Sequence, residues 1–519
     1  MGKETLLGNE KRDLIFLLCL ALGIRLLVYK LTYLISLDGT GFYLPAAQYF
    51  ASGLWMEGLE TGYHPMYPLL VALFSKALGN FQLSGQMVSI LFGGLSVIPV
   101  YYLAKGMFHR GAGFLSALFL AILPHHAAFS ADFLSDATYT FFFISAIWLG
   151  WNALKMEDWK IFFLAGVVTA LAYLTRAEGI GVLLVLSLWI PFRKSNFPHW
   201  RKGIALLVLL VSFLLIASPY ILYLRYYTGT WNISRKPAVN KVVVLTKEKL
   251  LLQQADDKAV KKFDGFFREV RRRENLGPGF SRWLKSVGTF FKFFVKTLHP
   301  IFFLLFIVGV LRRKTVSFPT GERFLFANLL LYAAILYWLA SIPYISHRYF
   351  TPFVVLCLVW SGEGLAEVQR WLGERISAKR WEKFRFITAK GFVALTVAVA
   401  FIILPVTIQP QREGRLGRKE AGLWIKKNSI PSPLIYTDMF RVNYYAEGRL
   451  IFLKEENIQY REIIETAIRE KADFLVISDR NIKVICPAFF DSLKQEDLTE
   501  VFRTDEGGKE TIIVYQVQR

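Results

Sequence analysis

The stretch Arg201-Lys-Gly-Ile-Ala-Leu-Leu-Val-Leu-Leu-Val-Ser-Phe-Leu-Leu-Ile216 decides how this chain must be read. Two cations open it, and an almost unbroken apolar run follows from Ile204 to Ile216. A helix that is apolar all round has no face to turn toward water, so its solvent is the bilayer. Working outward, Leu14 to Ile24 and Phe302 to Leu311 repeat the pattern, and short basic clusters separate such runs along the whole chain. The 519 residues are 54% hydrophobic and 16% aromatic, with a mean hydropathy of +0.38. A water-soluble core could not hide that much. The expected fold class is a polytopic α-helical membrane protein.

The charge follows from the same reading. Lys and Arg number 62 against 40 Asp and Glu, a net +22 that in a soluble protein would suggest nucleic acid. Here much of it sits in brief segments between apolar runs, where cations hold loops on the cytoplasmic side and favour anionic lipid headgroups. No nucleic-acid motif accompanies it, so membrane lipids and not nucleic acid are the expected partners. The cysteines, Cys19, Cys357 and Cys486, have no spacing suited to zinc or a redox pair. The first apolar stretch holds Arg25 and Lys30 and lacks a small-residue cleavage site, which favours an uncleaved spanning helix.

Loop charge orients the spans. Lys3, Lys11 and Arg12 put the N-terminus in the cytoplasm and the segment after Ile35 outside, and Lys105 to Arg110 lies inside again. Only one of the two apolar stretches between them can cross. Pro65 to Leu78 is short and holds two prolines and Lys76, so it is expected to lie in the outer interface, leaving Val88 to Leu103 as the span. Crossings are then expected near Gly113 to Phe129, Thr138 to Leu154, Phe162 to Tyr173, Ile180 to Phe192, Gly203 to Leu224, Thr289 to Leu311, Phe324 to Ser341, Phe350 to Leu365 and Gly391 to Pro405. That makes about 11 transmembrane helices, a multi-pass cell-membrane protein with its C-terminal domain extracytoplasmic. The transmembrane module takes residues 1–408, with outer loops at 36–87 and 225–285, and a small soluble α/β domain takes 409–519. In the second outer loop, Lys247 to Arg273 reads either as a surface-lying amphipathic helix or as a solvated lobe packed on the spans.

In the soluble domain, helices are expected at Ala421 to Lys427 and Glu462 to Lys471, with strands at Leu434 to Thr437, Phe474 to Ser478 and Thr511 to Val517.

The chemically suggestive residues gather on the outer ends of the spans. Ser36-Leu-Asp-Gly-Thr-Gly-Phe-Tyr43 offers a carboxylate in permissive backbone, able to act as a general base at a membrane edge, although a solvated turn is the plainer reading of Asp38 alone. Gly62-Tyr-His-Pro-Met-Tyr-Pro68 and Leu123-Pro-His-His126, with Asp132 and Asp136, could meet a cation, a phosphate or a sugar hydroxyl without forming a fixed ligand spacing. Thr175-Arg-Ala-Glu178 and Ser346-His-Arg-Tyr349 place arginines where their planar forks could take phosphate oxygens or simply snorkel. Acids, arginines and a lipid-facing groove on one side suit a phosphate-linked lipid substrate.

In this order and placement the motifs resemble the GT-C glycosyltransferases that use polyprenyl-phosphate sugars, the superfamily that includes protein mannosyltransferases and the lipid A aminoarabinose transferase. The resembling residues are Asp38 with Tyr43 and Ala46-Ala47, His64-Pro65 with Tyr67-Pro68, Gly94 with Pro99 and Tyr101-Tyr102, Ser130-Ala-Asp132 with Ser135-Asp136, Leu174-Thr-Arg176 with Glu178-Gly179, and Arg348-Tyr349. The resemblance covers the N-terminal two-thirds. It implies an inverting transfer in which Asp38 deprotonates an acceptor hydroxyl on a lipid, glycan or protein, and Arg176 and Arg348 stabilise the departing polyprenyl phosphate. Asp132 or Asp136 would position acceptor or sugar. Tyr43, His64, Glu178 and His347 complete the expected substrate-binding set. Two departures stand out: Gly39 follows Asp38 where many relatives carry a second acid, and Met66 replaces part of a doubled proline. Some members bind a divalent cation, and the sequence leaves open whether this chain does. A flippase for lipid-linked sugars would use Arg25 as an intramembrane charge but should show paired broken helices in corresponding halves; a non-catalytic scaffold is the remaining alternative.

Overall fold

The computed structural model describes residues 9–193, 198–235, 280–312, 319–341, 345–378, 385–453, 458–504 and 510–518. The stretch Lys247 to Arg273, with its two readings, lies outside them. Two compact units emerge: Met1–Tyr29 with Ala46–Gln409, and Lys30–Pro45 with Pro410–Arg519.

The first unit is helical throughout. Among the described residues, Phe81–Met107, His199–Thr228, Thr320–Ser341 and His347–Arg375 are long and apolar enough to cross a membrane, and the number rises to six if each of two bent pairs is one span. The expected crossings fall on helical segments, two of them on bent pairs, and the tally of eleven also draws on shorter apolar helices such as Trp159–Thr175. Met66–Leu78, the expected interfacial segment, is a helix of 13 residues closed by Gly79 in the left-handed conformation.

Two breaks depart from simple spans, and proline causes both. Thr289 to Leu311 was expected as one crossing; instead two helices meet at a bend of 102°, Phe280–Leu298 and Pro300–Leu311. Pro300 has no N–H to continue the ladder, and His299 before it sits at φ 74°, outside any helical conformation. The second bend, of 59°, separates Arg110–Ile122 from Pro124–Ser130. Here a cation meets the last carbonyls before Pro124, of which Leu120 O also accepts from Leu123 N at 3.4 Å. Arg25, fully buried in the helix Glu10–Lys30, donates to Leu120 O at 3.3 Å, Ala121 O at 3.2 Å and Ala21 O at 2.8 Å. Its remaining contact is His126 Nδ1, 2.8 Å away. Main-chain satisfaction is what lets a broken helix and a charge persist inside the apolar core.

Some helices touch backbone to backbone. A Cβ on Gly309 would lie 2.0 Å from Trp360 O, and one on Gly364 would lie 1.9 Å from Leu305 O, so Pro300–Leu311 and His347–Ala378 cross only because both positions are glycine.

Ion pairs sort the helix ends. At the end that carries the N-terminus, Glu10 pairs with Lys105 at 2.7 Å and the buried Asp13 with Arg110 at 2.9 Å. Arg312 joins Glu322 and Glu363. The next turns of the chain deliver Asp136, Arg176 and Arg348 to the opposite end.

In the second unit five strands form one mixed sheet in the order β2-β1-β3-β5-β4. They are β1 Leu434–Thr437, β2 Arg449–Phe452, β3 Phe474–Ser478, β4 Leu498–Arg503 and β5 Ile512–Val517. The pairs β1–β2 and β1–β3 are parallel, while β3–β5 and β4–β5 are antiparallel. Central β3 is buried along its whole length, and its alternate side chains feed two cores. Phe474 and Val476 pack with Ala421, Ile425 and Val442, whereas Leu475 and Ile477 pack with Ile463, Ala467 and Ile482. The same unit holds Lys30–Pro45 through a parallel bridge between Thr32 and Gln411.

Candidate active site

Three helix ends build the polar centre of the first unit. Asp136 opens the helix Asp136–Met156, Arg176 follows the helix Trp159–Thr175, and Arg348 stands second in His347–Ala378. The antiparallel run of the helices brings them together although 212 residues separate Asp136 from Arg348. Asp136 is buried and accepts from both arginines: Arg176 reaches Oδ1 at 2.7 Å, and Arg348 reaches Oδ2 through Nε and a terminal nitrogen, each at 2.9 Å. Arg176 also takes Glu178 at 3.1 Å. Two acids thus balance two cations, and each carboxylate is held by charge-assisted bonds.

The two arginines differ in what they leave open. Arg176 has a side chain only 5% exposed and lies between the rings of Tyr139 and Tyr349, at 5.5 and 4.8 Å from their centroids. Arg348 keeps 25% of its side chain accessible. The first is walled in; the second can meet a ligand.

Asp132 is buried in the turn that precedes Asp136, and its Oδ1 accepts from the Phe133 amide at 2.7 Å. Side chains of the helix Phe81–Leu95 pin that turn: Gln86 donates to Ala131 O at 3.2 Å and Ser89 to Leu134 O at 2.8 Å. Tyr67, in turn, donates to Gly85 O at 2.9 Å. None of these pinning contacts was legible in the sequence, because each joins residues 18 to 45 apart through main-chain oxygens.

His64 is buried between Tyr173 and Tyr220, with ring centroids 5.4 and 5.1 Å away. His347 stacks on His125 at 4.4 Å, and its Nδ1 lies 2.7 Å from Thr297 Oγ1. Glu178, Arg176, Asp136 and Arg348 therefore form one cluster, while His64 and His347 sit in aromatic surroundings of their own.

Asp38 and Tyr43 belong to the second unit. Asp38 is half-buried, ahead of a short π-helix, Gly39–Tyr43, and Tyr43 is buried. The turn is closed by Gly39 N donating to Ser36 Oγ at 3.1 Å and Thr40 N to Ser36 O at 3.2 Å. Among the described residues no three His, Cys, Asp or Glu side chains gather as a metal ligand set.

Residues 63–223 match the family model described as dolichyl-phosphate-mannose-protein mannosyltransferase. No curated protein sequence matches the chain. Among solved structures, the chain is similar to ArnT from Cupriavidus metallidurans bound to undecaprenyl phosphate, at 13% identity and a TM-score of 0.61, with 98% of each chain covered. The apo state of the same protein gives 13% identity and 0.60, covering 96% of this chain and 97% of that one. The archaeal oligosaccharyltransferase AglB from Archaeoglobus fulgidus, in complex with an inhibitory peptide and a dolichol-phosphate, gives 12% and 0.56, covering 98% and 74%. At such identities the likeness is one of fold, and it spans nearly the whole chain: this is a multi-pass helical membrane protein that shares the GT-C fold of these structures.

Proposed function

We propose that the chain is an inverting glycosyltransferase that moves a sugar from a polyprenyl-phosphate donor to a hydroxyl of a lipid, glycan or protein acceptor at the outer face of the cell membrane. The observation that carries this reading is Arg348, a partly open guanidinium fixed by the buried Asp136. A preorganised cation at a helix end suits a phosphate, because it need not reorganise as charge develops on the leaving oxygen. Structures of similar fold are those of proteins bound to undecaprenyl phosphate and to a dolichol-phosphate, which agrees with a lipid-phosphate donor here.

In the proposed reaction Asp38 takes the proton of the acceptor hydroxyl as its oxygen bonds to the anomeric carbon. The bond from that carbon to the phosphate oxygen breaks with its electron pair, and polyprenyl phosphate leaves as an anion. Acceptor and leaving group approach from opposite faces of the sugar, so the configuration inverts. Arg348 receives the growing charge, with Arg176 and Asp136 holding it in place. Glu178 balances Arg176, and Asp132, His64, Tyr43 and His347 are assigned to shaping the substrate site. With the N-terminus cytoplasmic, as Lys11 and Arg12 favour, this end of the helices and the C-terminal domain face outward.

The transporter reading rests on Arg25, whose two terminal nitrogens meet the Ala21, Leu120 and Ala121 carbonyls and His126 Nδ1, and this supports a structural role for it. The deciding experiment incubates purified protein with a panel of polyprenyl-phosphate sugars and candidate acceptors. Transfer that disappears in Asp38→Asn and Arg348→Ala supports the proposal; transfer undiminished in both overturns it.

A further inference from the structure

The loop that carries Asp38 is held by the second unit at four places. Gln411 N donates to Leu31 O at 2.8 Å, within the parallel bridge that pairs Thr32 with Gln411. One residue on, an Arg412 terminal nitrogen donates to Leu34 O at 2.8 Å. Lys419 Nζ lies 3.4 Å from Tyr33 O. At the far side of Asp38, the ring of Phe440 lies 3.9 Å from where a Cβ on Gly41 would stand. Contacts at Leu31, Tyr33 and Leu34 before the acid, and packing of the helix Phe440–Ala446 against Gly39–Tyr43 after it, bracket Asp38 on both sides.

Arg412 is unusual among these. Its backbone is left-handed, at φ 60°, a conformation that glycine would adopt without strain. An arginine placed there presents its guanidinium to the Leu34 carbonyl, four residues before Asp38. The main chain of residues 31–36 is short of regular structure, and Asp38 stands at the start of the helical run that follows, through Gly39–Tyr43 into Leu44–Ala51. A carboxylate on such a segment depends on neighbours for its placement, and small misplacement of a reacting group is costly.

We propose that the C-terminal domain acts as a frame for the Asp38 loop and that Arg412 is a positioning residue of the transfer reaction, acting through the backbone at Leu34. The catalytic part of this proposal rests on the assignment of Asp38 as base; the framing part does not. A domain that holds the base-bearing loop would couple any acceptor bound on that domain to the geometry of the reaction.

The test uses the full-length protein in detergent or nanodiscs and two readouts. Hydrogen exchange of the peptides spanning 31–45 reports the frame, and transfer from a polyprenyl-phosphate sugar reports catalysis. Arg412→Gly is the informative variant, because it relaxes the backbone while removing the guanidinium, so a general folding defect is not its expected consequence. Exchange in 31–45 should rise roughly tenfold, as expected for loss of one charge-assisted hydrogen bond. Turnover should fall by about 10²-fold with donor KM unchanged. Arg412→Lys should restore part of both, and Phe440→Ala should loosen the same peptides from the other side. Adding Arg412→Gly to Asp38→Asn should cost no further activity, since both act on one group. Exchange that stays at the wild-type level in Arg412→Gly and Phe440→Ala overturns the frame. Faster exchange with turnover intact, or losses that multiply in the double variant, overturns the positioning role. If Asp38→Asn alone leaves transfer undiminished, it is the base assignment that fails, and exchange still decides whether the domain holds the loop.

Discussion

Arg348 grips a single oxygen of Asp136 with two nitrogens, each 2.9 Å away, while Arg176 takes the other oxygen at 2.7 Å. One buried carboxylate thereby orders two cations from different helices, and its removal should be felt twice.

Asp136→Ala leaves Arg176 buried beside Glu178 alone. Breaking a buried pair by removing one partner costs about 3–5 kcal/mol. We expect a clear drop in the thermal unfolding temperature of the detergent-solubilised protein together with loss of transfer. Arg348→Ala, at the more exposed member, should leave the unfolding temperature closer to wild type and lower turnover by about 10²- to 10³-fold. Equal destabilisation by both variants would show that Arg348 serves packing alone.

Asp38→Asn keeps shape and removes the proton acceptor. Turnover should fall by about 10²- to 10⁴-fold, the usual worth of a general base, with donor binding retained. Titration with a non-hydrolysable polyprenyl-phosphate sugar analogue separates the two effects.

Arg25→Met should destabilise the bend at Pro124, because Ala121 O loses its Arg25 donor at roughly 1–3 kcal/mol, while Leu120 O keeps the Leu123 amide. Arg25→Lys, with a shorter reach and no planar fork, should recover only part. Faster hydrogen exchange around residues 120–135 is the expected readout. Unaltered stability with loss of lipid-linked sugar movement across vesicles would instead favour transport.

Gly364→Val should prevent correct assembly of the helices, since even a Cβ there would lie 1.9 Å from Leu305 O. Overpacking of this kind costs about 1–3 kcal/mol where neighbours can move, and a backbone carbonyl moves less than a side chain. Expression of a variant with unchanged unfolding temperature would disprove the close crossing.

In the C-terminal domain, burial raises the Asp438 carboxyl above its ordinary 3.8, against the pull of a 2.7 Å hydrogen bond from Asn481 and the Arg418 charge. The folded state therefore holds this proton more tightly than the unfolded chain does. The group's stabilising contribution is fullest below 3.8 and declines as pH climbs through the raised folded value. Asp438→Asn should flatten that decline and raise the domain's stability at neutral pH, measured by hydrogen exchange of β1 and β3 as a function of pH.

Much of the architecture was readable because it is periodic or local. Apolar runs located the helices, and the buried strands Leu434–Thr437 and Phe474–Ser478 fell where their β-branched and aromatic residues put them. The strands Arg449–Phe452 and Leu498–Arg503 did not announce themselves, being short or largely exposed edge strands whose pairing, and not their composition, makes them strands. The bend at Pro300 was hidden by the apolar residues on both sides of it, which kept hydropathy high across a broken backbone.

What the sequence by itself determined is the solvent: so many apolar residues in helix-length runs require a bilayer, and cations between the runs order the loops. It also supplied the chemical parts, since acids and arginines near helix ends are costly enough there to need a partner or a task. Only the tertiary structure decided who those partners are. Asp136 meets Arg176 and Arg348, Arg25 meets carbonyls at the Pro124 bend, and the loop of Asp38 joins the domain at the far end of the chain. The reason is physical: hydropathy is summed over neighbours in sequence, whereas a buried charge is satisfied by whatever the fold brings within about 3 Å of it.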